Sequence, residues 1–385
     1  MRILAINWQD KKNPFAGGAE VHLHEILSRL AARGHAITLL CARFPAGADE
    51  EHYDGIRIVR RGRWHTFNWS VPAAARTLCH ELDVDVIIDD INKIPFYAPR
   101  FASRPVLAIV HHLFDSSIFH QVNPVIGSYV YLAESLVPRY YRNVPFMVVS
   151  ESTRDDLVRR GIKASHVHVV HNGIDLTHYH PDPADPKAEA ALLAYVGRLK
   201  KYKSIDHLFA ALARIRGQFR GVTLQIVGSG DDRERLQAEA QRFGVGDIVH
   251  FTGFADLQLK VSIMRRAWLM VCPSRKEGWG LTNIEANACG TPVICADVPG
   301  LRDSVREGVT GLLYPYGDIG ALAERLSRIL RDSAARSRLA VGGLEWAARF
   351  SWDEAALATE SLLERLVADS TADSGATKAG VSHAP

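Results

Sequence analysis

The sequence predicts an α/β protein built as two doubly wound domains that face each other across a cleft. Three observations carry that reading. Strand-like runs alternate with helical patterns from the first residues, the alternation is interrupted once by a proline-rich stretch, and it then resumes. With 385 residues, 47% of them hydrophobic, the chain has enough apolar side chain for a core in each half.

Residues 3–6 read as a buried strand, 19–32 as an amphipathic helix closed by Gly34, and 36–41 as a second strand. Strand, helix, strand in that order implies a parallel pair with a crossover. Short runs rich in branched residues follow at 84–88, 106–110, 146–149 and 168–170, completing a first domain over residues 1–180. The stretch HPDPADPKAE from His180 holds three prolines and no apolar periodicity, so residues 181–191 are expected to be a surface linker. Strand patterns resume at 192–196, 223–227, 248–251, 268–272 and 292–295 and define a second domain over 192–350. A helix over 354–366, within a terminal segment 351–368, is expected to pack back on the first domain, and the polar residues 369–385 read as a disordered tail. In such folds ligands sit at the carboxyl ends of the strands.

Composition narrows the function. The 46 Lys and Arg nearly balance 43 Asp and Glu, a formal charge of +3 that gives no general electrostatic case for nucleic acid. No apolar run approaches the ~20 residues of a membrane span, and Met-Arg-Ile-Leu-Ala-Ile opens as a strand with no leader pattern, so a cytoplasmic location is expected. Five scattered cysteines lack zinc or disulfide spacing and read as reduced thiols.

The segment PSRKEGWGLTNIEANACGTP from Pro273 starts just after a strand and runs into a helix. Thr282 reads as its N-cap, and Glu285, three residues on, as the partner in a capping box. Alternatively, Gly278 and Gly280 let the backbone aim free N–H groups at a phosphate, and Glu277 and Glu285 accept hydrogen bonds from sugar hydroxyls. That second reading points to a sugar joined to a diphosphate. Arg198 and Lys203 follow the first strand of the second domain, one a bidentate fork and the other a point charge suited to diphosphate. Solvated surface cations are the plainer account of the same residues. Gly17 and Gly18 precede the first helix, but no G-x-G-x-x-G spacing is present, which disfavours a nicotinamide cofactor. Asp89 and Asp90 end a strand and read as a cap, not as a metal-binding pair.

Taken in order along residues 1–350, these motifs resemble the retaining nucleotide-sugar glycosyltransferases of sequence family 4, with the GT-B fold of two Rossmann-like domains. The most specific piece is E-x7-E at Glu277 and Glu285, supported by G-R-L-x-x-x-K from Gly197 to Lys203. Weaker pieces are G-G-A-E at Gly17, V-S-E-S-T-R-D-D-L at Val149, H-N-G-I-D at His171 and V-G-S-G-D at Val227. The resemblance implies a hexosyltransferase that needs no metal or cofactor and takes a nucleotide diphosphate sugar as donor. It assigns Arg198 and Lys203 to the diphosphate, Glu285 to the ribose hydroxyls and Glu277 to the transferred sugar. The amides of Gly280, Leu281 and Thr282 would meet the phosphates, the Gly17 and Gly18 loop would approach them from the acceptor domain, and Gly228 to Gly230 would border the nucleoside. A family histidine that orients the sugar falls on His111, or on His112 with a one-residue shift. Trp279 departs from the usual context of this loop and leaves the identity of the sugar open.

On the acceptor side, Arg57, Arg60, Arg61, Arg63 and Trp64, then Tyr129, Tyr131, Arg139, Tyr140, Tyr141 and Arg142, mix basic and aromatic residues. Such a mixture suits peripheral contact with anionic lipid, and equally an ordinary solvated surface. Two other functions fit the same scaffold: a nucleotide-sugar epimerase or phosphorylase, and a non-catalytic sugar-nucleotide-binding protein.

Overall fold

The computed structural model of the chain describes residues 1–92, 94–120 and 122–379. Two compact units divide it, one comprising Met1–Gly173 together with the chain from Trp352 onward, the other Ile174–Ser351.

Among the described residues the first unit is built on an eight-stranded sheet: β1 (Arg2–Ile6), β2 (Ala36–Arg43), β3 (Glu50–Tyr53), β4 (Ile56–Arg63), β5 (Val86–Ile91), β6 (Val106–Val110), β7 (Phe146–Val148) and β8 (Val167–Val169), in the order β3-β4-β2-β1-β5-β6-β7-β8. All neighbours are parallel except the β3–β4 hairpin. The helices are α1 (Gly18–Ala32), α2 (Phe67–Glu81), α3 (Pro124–Ser135), α4 (Val137–Tyr140) and α5 (Glu151–Arg159). Alternation along β1 explains the layers: Ile3 and Ala5 pack with Leu23, Ile26, Leu27 and Leu30 of α1, while Leu4 and Ile6 face Phe67, Val71, Ala75 and Leu78 of α2. The apolar face of each helix repeats every three or four residues, as a helix laid on a sheet requires. Truncating one of these fully buried leucines, Leu30→Ala for instance, costs about 2–5 kcal/mol.

The second unit holds β9 (Leu192–Val196), β10 (Thr223–Val227), β11 (Val249–Gly253), β12 (Leu269–Cys272), β13 (Val293–Ala296) and β14 (Gly311–Tyr314), ordered β11-β10-β9-β12-β13-β14 and parallel throughout. Its helices are α6 (Ile205–Ile215), α7 (Arg233–Arg242), α8 (Leu257–Arg266), α9 (Leu281–Ala288), α10 (Leu301–Ser304), α11 (Ile319–Arg331) and α12 (Ser333–Ala347). The strand order reverses between β9 and β12, so the loops leaving those two strands flank the switch point where such sheets bind ligands. In the first unit the same reversal falls between β1 and β5.

The final helix, α13 (Trp352–Ala379), belongs to the first unit, where Trp352, Ala355, Leu362 and Leu363 join the core on the α1 side of the sheet. It runs through residues 369–379, which the polar composition had marked as tail; residues 380–385 lie outside the described residues. Residues 181–191 are not a free linker either. Arg265 donates to the His180 carbonyl and pairs with Asp182, Ser262 donates to Asp185, and Trp268 Nε1 donates to the Ala188 carbonyl. The stretch turns at Asp182–Asp185, where Asp185 N donates to the Asp182 carbonyl (3.0 Å), α8 and the residues after it strap it down, and the second unit begins earlier, at Ile174. Three strands escaped the sequence reading. β3 and β4 join through Asp54–Gly55, both at positive φ (51° and 76°), an Asp-Gly hairpin turn beside strands whose charges mask their pattern. β14 is the other, four residues at the sheet edge. All five cysteines are free and buried, and among the described residues no helix is long and apolar enough to cross a membrane.

Candidate functional site

In the second unit the loops after β9 and β10 run against each other. Gly197 N donates to the Val227 carbonyl (3.0 Å) and Leu199 N to that of Ser229 (2.9 Å). Gly228 sits at φ 136°, and a Cβ there would lie 1.9 Å from the Gly197 oxygen; at Gly230 it would lie 2.0 Å from that of Leu199. Backbone packing alone therefore requires glycine at both positions. The same contact fixes Arg198, whose carbonyl accepts the Tyr195 hydroxyl at 3.0 Å and whose side chain is exposed, with no ion pair among the described residues.

Lys203 ends a short 3-10 turn and is half-buried beside Glu277, to which its Nζ donates. A backbone bond from Arg275 N to the Tyr202 carbonyl (2.9 Å) holds the two loops together here. Burial pulls the Lys203 ammonium toward neutrality, but the Glu277 carboxylate outweighs it and raises the pKa, so Lys203 stays charged. Glu277 is held from behind, because Gly300, at φ 83°, comes so close that a Cβ would lie 2.2 Å from the Glu277 carbonyl oxygen.

Gly280, left-handed at φ 73°, is the N-cap of α9, and Thr282 is the helix's second residue. The expected cap at Thr282 is thus displaced by two positions, since only glycine adopts this entry conformation without strain. Leu281 and Thr282 carry two of the first-turn amides that a helix cannot satisfy from within itself. Nor does Glu285 complete a capping box. Its carboxylate is buried, with Oε1 accepting from the Tyr179 hydroxyl and Lys260 Nζ (both 2.8 Å) and Oε2 2.7 Å from the same ammonium. Neither Lys260 nor Tyr179 stands in a recognisable motif, and only the fold brings them to Glu285. Trp279 lies in the core at 2% exposure, edge-on to Phe350 at 4.8 Å, which gives its bulk a packing role.

In the first unit, Gly17 is the N-cap of α1, with extended backbone, and donates its N–H to Glu20 Oε2 at 2.7 Å. Glu20 Oε1 accepts from Asn92 Nδ2 at 2.6 Å, tying the glycine loop to the end of β5. Gly18, the first helical residue, has open space where a Cβ would stand. His111 leaves β6 buried, its Nε2 3.1 Å from Asp90 Oδ1, its carbonyl accepting Thr153 Oγ1 at 3.1 Å and its ring edge-on to His22 at 4.8 Å. Burial lowers the His111 pKa, but Asp90 and then Glu20 reverse this and leave it raised; His22, buried and next to His111, is held well below the usual value. His112 turns aside onto the Phe114 ring at 4.9 Å.

Asp89 and Asp90 form no cap. Both lie within β5 and are fully buried; Asp89 accepts from the Tyr141 hydroxyl (2.6 Å) and Ala98 N (3.0 Å), and burial raises its pKa to about 6. Nor are the basic and aromatic residues one surface. Arg60 is fully buried and bonded to Asp10 at 2.8 and 3.0 Å, Tyr141 is buried, and Arg57 and Arg61 both pair with Glu50. Arg60 and Tyr141 therefore belong to the interior, and Arg57 and Arg61 share one carboxylate. Among the described residues no group of three His, Cys, Asp or Glu is arranged to hold a metal ion.

Comparison with known proteins places this geometry. Residues 16–178 match the model of Glycosyltransferase Family 4, and residues 181–346 that of Glycosyl transferases group 1. Glycogen synthase of Mycobacterium tuberculosis is 28% identical over 390 residues, 93% of each chain. Among solved structures, sucrose-phosphate synthase of Thermosynechococcus elongatus superposes with TM-score 0.82 at 25% identity, covering 96% of this chain and all of the other. Anabaena HepE, solved in complex with UDP and glucose, gives TM-score 0.77 at 22% identity over 95% of this chain and all of its own. With two Rossmann-like units, each matched in turn by a glycosyltransferase family model, the chain belongs to the GT4-type glycosyltransferases of GT-B fold.

Proposed function

We propose that this enzyme moves a hexose from a nucleoside diphosphate sugar to an acceptor hydroxyl, with retention of anomeric configuration and without a metal. The observation that carries the proposal is the cluster at the switch-point loops of the second unit: an exposed Arg198 and a charged Lys203 on one loop, Glu277 and the start of α9 on the next, and Glu285 within that helix. Transfer leaves a diphosphate whose negative charge must be stabilised as the glycosidic bond breaks. Fixed cations and unsatisfied helix amides do that without reorganising. Arg198 takes the diphosphate as a fork, Lys203 as a point charge, and the amides of Leu281 and Thr282 add hydrogen bonds. Glu285, oriented by Lys260 and Tyr179, accepts the ribose hydroxyls, and Glu277 accepts hydroxyls of the hexose. Gly197, Gly228, Gly230 and Gly280 contribute through backbone, as their tight packing suits.

In the reaction the bond from the sugar's anomeric carbon to the diphosphate oxygen breaks, and the acceptor oxygen bonds to that carbon on the same face. Its proton passes to the leaving phosphate oxygen, so no protein base is needed. His111, held by Asp90, orients the sugar, and the Gly17–Gly18 loop belongs to donor binding. UDP and glucose in the HepE complex support a uridine donor as the first to try. A cytoplasmic enzyme with peripheral membrane contact belongs to the same proposal. What supports the contact is the exposed α3 face, with Val125 at 81% and Leu132 at 61% exposure, followed by the exposed Arg139 and Arg142.

The test is a panel of UDP- and GDP-linked sugars, with chelator present, scored by nucleotide release, anomeric configuration and melting temperature. Stabilisation and chelator-resistant turnover with one donor are expected. Recovery of an epimerised donor would assign the enzyme to another reaction, and absence of any response would remove the donor assignment.

A further inference from the structure

The two cations of the second unit are not in the same state. Arg198 is exposed and has no acid among the described residues, whereas Lys203 is already engaged by Glu277, with side-chain exposures of 13% and 18%. The pair is internal to the site, since Glu277 lies on the loop that leads into α9 and Lys203 on the loop after β9. Glu277 cannot leave by backbone movement without displacing Gly300, which abuts its carbonyl. Any change of partner must come from the side chain.

We infer that Glu277 serves as an internal counter-anion for Lys203 and so sets how weakly the site holds a nucleoside diphosphate that carries no sugar. The inference rests on the donor assignment above and adds a preference to it. One ammonium cannot fully neutralise both a carboxylate and a diphosphate in contact with it, and like charges brought together on a shared partner repel. With a sugar attached, its hydroxyls give the Glu277 carboxylate donors, and Lys203 is freed for phosphate. Once the sugar has left, the carboxylate has no donor but Lys203. It returns there, in competition with the spent nucleotide, and the nucleotide is released.

Calorimetric titration of the full chain with UDP, and with GDP and ADP in parallel, tests this. Glu277→Gln keeps the shape and removes the charge. It is expected to tighten nucleoside diphosphate binding about tenfold while lowering transfer. In a Lys203→Met background the same substitution should give a clearly smaller gain, because the competition no longer exists and only direct repulsion of the diphosphate is relieved. If Glu277→Gln fails to fold, Glu277→Ala must show the same sign. Unchanged or weaker nucleotide binding in the carboxylate-free variants overturns the counter-anion role, as does a gain of equal size in Lys203→Met. If the wild-type chain binds none of the three nucleotides, the donor assignment falls as well, so the two failures are distinguishable.

Discussion

The polar groups at the strand ends of the two units are assembled differently. In the second unit they are ion pairs reaching between elements, Lys203 with Glu277 and Lys260 with Glu285, near an exposed Arg198. In the first unit they form a buried network built largely from hydrogen bonds, Asp89 to Tyr141, Asp90 to His111, Glu20 to Asn92 and Gly17. A largely buried ion pair can exchange one partner for a ligand of the same charge because the replacement keeps the remaining charge paired, whereas a buried hydrogen-bonded network can only keep its shape or lose it. The contrast suits one region to neutralising a charged ligand and the other to presenting a fixed surface to an uncharged one.

Substitutions can break that contrast. The largest effect is expected at Arg198→Ala, which should lower kcat/KM about 10³-fold with an unchanged melting temperature, because the side chain is exposed. Wild-type rates would take Arg198 out of the site. Next is Gly228→Ala, where a methyl 1.9 Å from a carbonyl oxygen, at φ 136°, should cost about 3 kcal/mol or more in a denaturation curve. A near-native curve would mean that the β9 and β10 loops separate easily.

Asp89→Asn probes the first unit. Burial raises its folded pKa to about 6, above the ordinary carboxylate range, so the neutral form is the one the fold prefers, and stability is lost as pH rises from about 4 through 6. Asparagine keeps an acceptor for Tyr141 and Ala98 without the charge. Its melting temperature relative to wild type should therefore rise between pH 4 and pH 7.5, and a pH-independent difference would show that Asp89 is ionised at no cost. The smallest effect belongs to Gly18→Ala, at the open first position of α1, where stability should move by less than about 1 kcal/mol. An unchanged donor KM in that variant would take this loop out of the donor site.

Most strands of both sheets were legible because buried parallel strands are short, apolar and branched, and 106–110, 192–196 and 223–227 coincide with β6, β9 and β10. What stayed hidden was held by partners distant in sequence. β4 carries Arg57, Arg60, Arg61 and Arg63 and looks like surface until Asp10, Glu50 and Glu51 are brought beside it. Asp89 and Asp90 look like a strand end until Tyr141 and His111 supply their partners. Of the site itself, the spacing of Glu277 and Glu285 was visible in the chain, but Lys260 lies 25 residues from Glu285 and Tyr179 106, too far for any local pattern to announce them.

The return of α13 to the first unit means that the second is inserted within it. Ile174 N donates to the Phe350 carbonyl at 3.1 Å, so the inserted unit begins and ends at neighbouring points. During synthesis the first sheet must wait for Trp352, Leu362 and Leu363 before its α1-side core is complete, by which time all of residues 174–351 has been made. The unit that starts the chain is therefore the last to be finished, and a released chain truncated at residue 351 would contain all of the second unit and a first whose core still lacks its closing helix.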